Sequence, residues 1–558
     1  MIKVPGIFKK DAINIHHAAF WIAFFAVISG ILGLFRDRLL ASMFGASRIL
    51  DIYYSAFRAP DFIYTLMLFL TSATAIIPIF LRKLDAGKKE AENFLGTLIL
   101  FFSFTIVVFS VFVFFLMPTF SDFLFPGFTD EEKDLSSTLG RIMLLSPIFL
   151  GISNVFSGIT QSFKRFFAYA LSPVFYNLGI IFGVLFLFPV FGTSGLAYGV
   201  VFGAFLHMAV QIPSLAGVEF KLSLKNISFF EIKNLIMHSI PRTVGLTINQ
   251  ISILVFTAIA STLTSGSIAV FNLSQNLGYL PITIIGLSYS VAAFPALASF
   301  SLKKERLCFE EHFSSAFRHI IFWTVPFSAL LLILRAQIVR VVLGSGAFSW
   351  QDTRLTAASL FLLSLAIVFQ SLFLLLVRAF YAEGEVKKTL LINIFSVVFG
   401  IGAMFLFLKI LSPGHVFARV VSSILDISDI RNISVLALPL GLLTGSIFNF
   451  TLLFWAFKIT FGWFLIKKSQ KSIVEIIFAS LLGAASAYLS LNIFSLFFNL
   501  TTFWEIFLQG LFSGVVGLLV ISVVLCFIKN KEFFEVWESL RTKMWRNHVP
   551  APEPEKLL

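Results

Sequence analysis

The chain has 558 residues, 58% of them hydrophobic and only 13% charged, with a mean hydropathy of +0.94. A soluble protein of this length carries roughly 25% charged residues, so the composition excludes that class and describes an all-α polytopic membrane protein; the alternating segments of about ten residues that mark a transmembrane barrel are not seen. The formal net charge of +13 would suggest nucleic acid in a soluble chain, but here it reflects basic cytoplasmic loops facing anionic lipid, and no nucleic-acid partner is expected.

Residues 1–17 are polar, with Lys3, Lys9 and Lys10, and Ala18–Phe35 is apolar. That run is longer than a signal-peptide core of about 7–15 residues, so it reads as the first membrane span. A helix needs about 20 apolar residues to cross the hydrocarbon core. By that criterion further spans fall near 62–81, 94–117, 139–160, 168–190, 194–216, 236–262, 268–300, 319–343, 355–380, 386–410, 434–458, 473–497 and 503–528. The expectation is about fourteen transmembrane helices. With the N-terminus inside, alternate loops carry Arg82, Lys83, Lys88 and Lys89; Lys164 and Arg165; Lys221, Lys225 and Lys233; Lys303, Lys304 and Arg306; Lys387 and Lys388; and Lys467, Lys468 and Lys471. The opposite loops include the acidic SDFLFPGFTDEEKD at 121–134. The positive-inside rule then puts both termini in the cytoplasm. Cys308 and Cys526 lie far apart and make neither a disulfide framework nor a metal site.

An internal repeat runs through the spans. AIIPIF at 75–80 recurs as AAFPAL at 292–297, LLS at 144–146 recurs at 362–364, and Asn177 corresponds to Asn393. The expected organisation is an N-lobe of six helices over 18–216 and a second pseudo-symmetric six-helix lobe over 217–458. An appended helix pair over 459–528 and a cytoplasmic tail over 529–558 follow. Repeated lobes facing a central cavity suit alternating access. No role is assigned to the polar loop at 411–433 or to the tail.

Charge is confined to loops except in GLFRDRLLASMFGASRILDIYYSAFRAPD at 33–61. This segment places Arg36, Asp37, Arg38, Asp51 and Arg58 at the end of one apolar run and the start of the next, in what reads as a connection between spans. An ionisable side chain inside a membrane costs about 2.5–3.5 kcal/mol on insertion scales and marks function by default; the plain alternative is snorkelling to the interface. Guanidinium offers phosphate a planar fork of donors. Arg36 and Arg58, joined by Arg242 in PRTVG at 241–245, form a candidate site for an anionic headgroup, above all a pyrophosphate. Asp37 and Asp51 are expected to hold the arginines when no substrate is present. Asn249 and Gln250, one turn beyond the PRTVG run, are candidates for cavity lining or interhelical hydrogen bonds.

An enzyme reading has little support: the eight histidines show no metal spacing and there is no P-loop. His207 reads as a satisfied core histidine. No cofactor and no metal ion are expected. The enzymatic alternative, a polyprenyl-dependent glycosyltransferase, would use Asp122, Asp130, Glu131 or Glu132, which read more simply as a solvated acidic loop.

ILGLFRDRLLASMFGAS, followed by Asp51, AFRAPDF and AIIPIF, resembles the N-terminal signature of the MurJ (MviN) family of lipid II flippases. PRTVGLTINQISILVFTAIASTLTSGSIAVFNLSQNL and VAAFPALASF resemble that family's seventh and eighth helices. The resemblance covers most of residues 18–410. It implies two six-helix lobes of the multidrug/oligosaccharidyl-lipid/polysaccharide exporter superfamily, a cationic central cavity, and a lipid-tail groove built by the last two helices. It also implies that the chain moves lipid II across a bacterial inner membrane, with membrane lipids as further partners. Since an inside-negative potential favours export of a pyrophosphate, a coupling ion or the membrane potential is a further expectation. Arg36 and Asp37 match the family's first-helix pair, Asp51 its following aspartate, and Arg58 its basic residue before the second-helix proline. The chain departs from the family at Gly30, Tyr64, Thr65 and Asn276, where arginines are expected. Asn276 is then a cavity-lining candidate, and Arg242 is assigned the missing charge. The remaining alternatives are export of another lipid-linked oligosaccharide and small-molecule antiport.

Overall fold

The computed structural model describes residues 15–70, 83, 87–163, 165–215, 248–462, 464–497, 500 and 502–545. Among these residues every regular element is helical. Eleven helices are long and apolar enough to cross a membrane, and each falls on an expected span. Of the other three expected spans, 18–35 lies within the Ile15–Phe44 helix, while 62–81 and 236–262 are described only in part, by the Arg58–Leu70 and Ile248–Ser261 helices. Only 22% of the most apolar window of Gly96–Leu124 is buried inside the protein. An apolar helix with that much outward surface needs lipid, not water, as its solvent.

The 33–61 segment departs from the expected connection. The first helix does not stop at Phe35 but runs to Phe44, so Arg36, Asp37 and Arg38 lie within it. No glycine or proline occurs between Leu34 and Phe44, and Leu39, Leu40 and Ala41 are good helix formers. The helix ends at Gly45, whose φ of +63° is the left-handed conformation of a helix stop. Two further helices follow, Arg48–Ala56 and Arg58–Leu70. Pro60 sits in the first turn of the latter, where its missing N–H costs nothing. The 411–433 segment is likewise not all loop: Val416–Ile424 is helical, with His415 capping it by accepting from the Phe417 N–H.

Contacts divide the chain into two compact units. The first comprises 1–277, 342–360 and 386–445. In it the Phe166–Phe182 and Thr193–Ala209 helices meet along glycines. A Cβ on Gly179 would lie 2.2 Å from the Gly203 Cα, and one on Gly183 would lie 2.4 Å from that of Gly199. This small-residue seam replaces hydrophobic drive, which is lost between helices in lipid. The same unit repeats the device where Gly400 meets Gly441 and Gly445. The residues equated by the repeat also behave alike. Asn177 donates to Ser29 on the Ile15–Phe44 helix, and Asn393 donates to Asn249 on the Ile248–Ser261 helix.

The second unit comprises 278–341, 361–385 and 446–558. Its core is an aromatic column in which Phe313 stacks on Phe457, Phe309 on Phe461, and Phe380 meets both Phe457 and Phe461 edge-on. The last two membrane helices, Phe464–Phe497 and Phe503–Phe527, approach closely at Gly483 and Gly517. The chain then turns at Lys529 and continues as the Lys531–Trp545 helix.

Candidate functional site

The charged residues of the first helices converge on one element, the Ser267–Pro281 helix. Its N-terminus takes Asp51: the carboxylate accepts from the Gly266 N–H at 2.7 Å and from the Ala269 N–H at 2.9 Å. The fit is tight because Gly266, at φ +86°, has no side chain; a Cβ there would sit 1.9 Å from the Ala46 carbonyl oxygen. Asp51 is fully buried, and a carboxylate at a helix N-terminus is stabilised by the free N–H groups and the helix dipole. One turn on, the Asn272 side-chain oxygen accepts from Arg58 Nη2 at 2.7 Å. A further turn on, Asn276 donates to Asp37 Oδ2 at 2.9 Å. Asp37 Oδ1 in turn accepts from Arg36 Nε at 3.0 Å and Nη2 at 2.8 Å. Arg36 Nη1 donates to Asn177 at 3.2 Å.

Arg36, Asp37, Asp51, Arg58 and Asn276 are therefore brought together. Arg36 is gripped by Asp37 through Nε and Nη2. Asp51 does not grip an arginine in this way: its nearest cation is Arg48, at 3.7 Å, and its main bonds are to backbone. The expectation that it restrains the site's arginines is corrected to one of anchoring the Ser267–Pro281 helix, because two buried N–H groups bind a carboxylate more firmly than a longer ion pair. Arg242 lies outside the described residues. Asn249 makes the interhelical bond with Asn393; Gln250 is half-buried. Tyr64 accepts from Asn154 at 3.3 Å.

The two arginines are not saturated. A guanidinium has five N–H donors, and Arg36 uses three of its own on Asp37 and Asn177. Arg58 is 7% exposed and its Nε has no hydrogen-bond partner. A buried donor without an acceptor costs about 1–3 kcal/mol, a cost removed when an anion supplies the oxygen.

Sequence reading missed Asn177 and Asn272 as site residues. Asn272 and Asn276 stand four apart in an apolar helix, one face of one turn, and that spacing is a readable signal. Nothing local ties Asn177 to Arg36, 141 residues away. The acidic residues weighed for catalysis do structural work. Thr129 and Glu132 form a capping box, Glu132 also pairs with Arg48 at 3.3 Å, and Lys133 bridges Asp122 and Asp130. His207 packs against Tyr176 and bonds Ser153 through Nδ1 at 2.8 Å, a satisfied core histidine.

Interlocked charges on the helices of a polytopic membrane protein are here carried on a fold shared with membrane carriers of the multidrug-exporter type. An inward-facing multidrug resistance MATE family transporter of the MOP superfamily superposes with a TM-score of 0.64 at 17% identity, over 79% of this chain and 96% of its own. The lipid II flippase MurJ in an inward closed conformation superposes with a TM-score of 0.70 at 23% identity, over 91% of this chain and 99% of its own. The chain belongs to the MurJ family: the family model described as lipid II flippase MurJ matches residues 40–508. Among curated relatives, the probable lipid II flippase MurJ of Buchnera aphidicola subsp. Acyrthosiphon pisum is 28% identical over 68% of this chain and 75% of its own. That of Thermotoga maritima is 29% identical over 64% and 72%.

Proposed function

We propose that this chain is a lipid II flippase of a bacterial inner membrane, moving the lipid-linked peptidoglycan precursor from the cytoplasmic to the outer leaflet by alternating access. The observation that carries the reading is the partly satisfied pair Arg36 and Arg58: Asn272 holds Arg58, and Asn276, four residues on along the same helix, holds the Asp37 that grips Arg36. A pyrophosphate entering lipid uncompensated would be prohibitive, and donors already desolvated and oriented lower that barrier. Asp37 releases part of its hold on Arg36 as the headgroup takes its place, so the site exchanges one anion for another. Arg242 contributes a third cation, the two six-helix lobes move about the site, and the last helix pair holds the lipid tail. Both termini are cytoplasmic. An inside-negative potential favours export by about 2.3 kcal/mol per charge per 100 mV if the charge crosses uncompensated, so transport is coupled to the potential or to an ion. The chain itself is a carrier and not an enzyme.

The test is lipid II exposure on the outer leaflet of cells depleted of their own flippase and expressing this chain. Restored exposure that is lost with Arg36→Ala, at equal membrane abundance, supports both the substrate and the site. Full exposure with Arg36→Ala refutes the site, and no exposure with the unaltered chain in the membrane refutes the substrate.

A further inference from the structure

The tail lies beyond the residues matched by the family model, 40–508. The last membrane helix ends at Phe527, itself 83% exposed. After three intervening residues the chain re-enters a helix, Lys531–Trp545. Its first turn is fastened to the second unit. Glu532, fully buried, accepts from Arg318 Nε and from Ser472 Oγ, each at 2.5 Å. Asn530, also buried, donates to Glu475 at 2.8 Å. One turn on, Glu535 faces His319 Nε2 at 3.3 Å.

These bonds sort the helix by face. Glu532 points inward, buried on Arg318 of the Arg306–Val342 helix, and Glu535, half-exposed, bridges His319 of that helix and Lys531 of its own. The opposite side presents Phe534 at 37% and Trp537 at 56% exposure, with Phe533 stacked on Trp537. Val523, Phe527 and Ile528 continue this exposed apolar surface back along the last membrane helix. Over 529–541 the sequence carries Lys529, Lys531 and Arg541 against Glu532, Glu535 and Glu538. With Glu532 buried, the exposed charges of the described stretch are the three cations Lys529, Lys531 and Arg541 against Glu535 and Glu538, beside the exposed aromatics. A helix of that pattern, starting at the end of a membrane span, fits the headgroup–acyl boundary.

We infer that the Lys531–Trp545 helix lies in the membrane surface, with Phe534 and Trp537 in the lipid boundary and Lys529, Lys531 and Arg541 on anionic headgroups. Glu532 and Glu535 fix its rotation, so that the aromatic face is turned to lipid before any lipid binds. Which leaflet it occupies rests on the topology proposed above and is cytoplasmic; the surface placement itself is independent of the transported substrate.

The test uses the full chain in vesicles of phosphatidylcholine with or without phosphatidylglycerol. In a Cys308→Ser/Cys526→Ser background, Trp537→Cys carries an environment-sensitive fluorophore, and Asp130→Cys, whose side chain is fully exposed, serves as the water-facing reference. The expected result is several-fold stronger quenching at 537 by brominated lipid than at 130, with weaker quenching by aqueous iodide. Iodide quenching at 537 equal to that at 130 overturns the inference. A second measurement leaves the helix unmutated. Tryptic cleavage after Arg541 and Lys543 is expected to slow several-fold when phosphatidylglycerol is included, and an unchanged rate overturns the role of anionic lipid. Neither readout requires transport, so failure here is distinct from failure of the flippase reading.

Discussion

At the scale of single residues, the site is a chain of charge-assisted hydrogen bonds in which each guanidinium keeps donors in reserve. Arg36→Lys retains the charge but loses the planar fork that grips Asp37 through both Nε and Nη2. Lipid II exposure is expected to fall at least about tenfold, the equivalent of losing one charge-assisted bond worth about 1.5–3 kcal/mol; wild-type exposure from the lysine variant would show that charge alone suffices. Asp51→Ala should act differently. It orphans the buried Gly266 and Ala269 N–H groups, and a loss of about 2–4 kcal/mol is expected from two unmet donors. The readout is a lower thermal midpoint of the purified protein in detergent, which Arg36→Ala should not show to the same degree. Gly266→Ala is harsher still: the φ of +86° is strained for alanine and the added carbon has no room beside Ala46. Little folded protein is expected on size-exclusion chromatography.

At the scale of elements, the Ser267–Pro281 helix organises the site through its end and two successive turns, taking Asp51, Arg58 and Asp37 in order. It runs directly into a π-helical turn, Ile282–Leu287, where Pro281 has no N–H to continue the ladder. The tail helix offers a second test at this scale. Burial pushes the Glu532 carboxyl upward, but bonds from Ser472, its own backbone N–H and Arg318 outweigh it and hold the group below its ordinary value of 4.5. A depressed carboxylate contributes stability that is complete above the unfolded value and is lost as pH falls through the folded one. Docking of the Lys531–Trp545 helix should therefore be constant from neutral pH down to about 5 and weaken only below 4.5. Hydrogen exchange of the helix amides measures this, and Glu532→Gln should abolish the acid dependence while weakening docking at every pH. Loss of protection near pH 6 in the unaltered chain would mean that another group controls the tail.

At the scale of the whole molecule, the prediction concerns energetics. If a pyrophosphate crosses with its charge incompletely neutralised, collapsing the inside-negative potential with an ionophore should lower lipid II exposure within minutes. Exposure independent of potential and of ion gradients would require that the arginines neutralise the headgroup throughout the crossing.

Much of this was legible in the sequence for a simple reason: in lipid, every backbone group must be satisfied within its own helix, so long apolar runs have one outcome. The expected span at 386–410 and the Val386–Ile410 helix coincide residue for residue, and Arg36, Asp37 and Arg58 stood out because charge is costly at that depth. The continuation of the first helix to Phe44 was less legible, because the charges at 36–38 resemble a loop until their partners are known. What only the tertiary structure decided are those partners. Asp51 reaches Gly266 across 215 residues, Arg58 reaches Asn272 across 214, and Asp37 reaches Asn276 across 239. A hydropathy pattern is a property of each segment with its solvent, readable locally. A hydrogen bond between segments depends on how helices are packed and rotated against one another, which glycine seams such as Gly179 on Gly203 set and no single segment encodes.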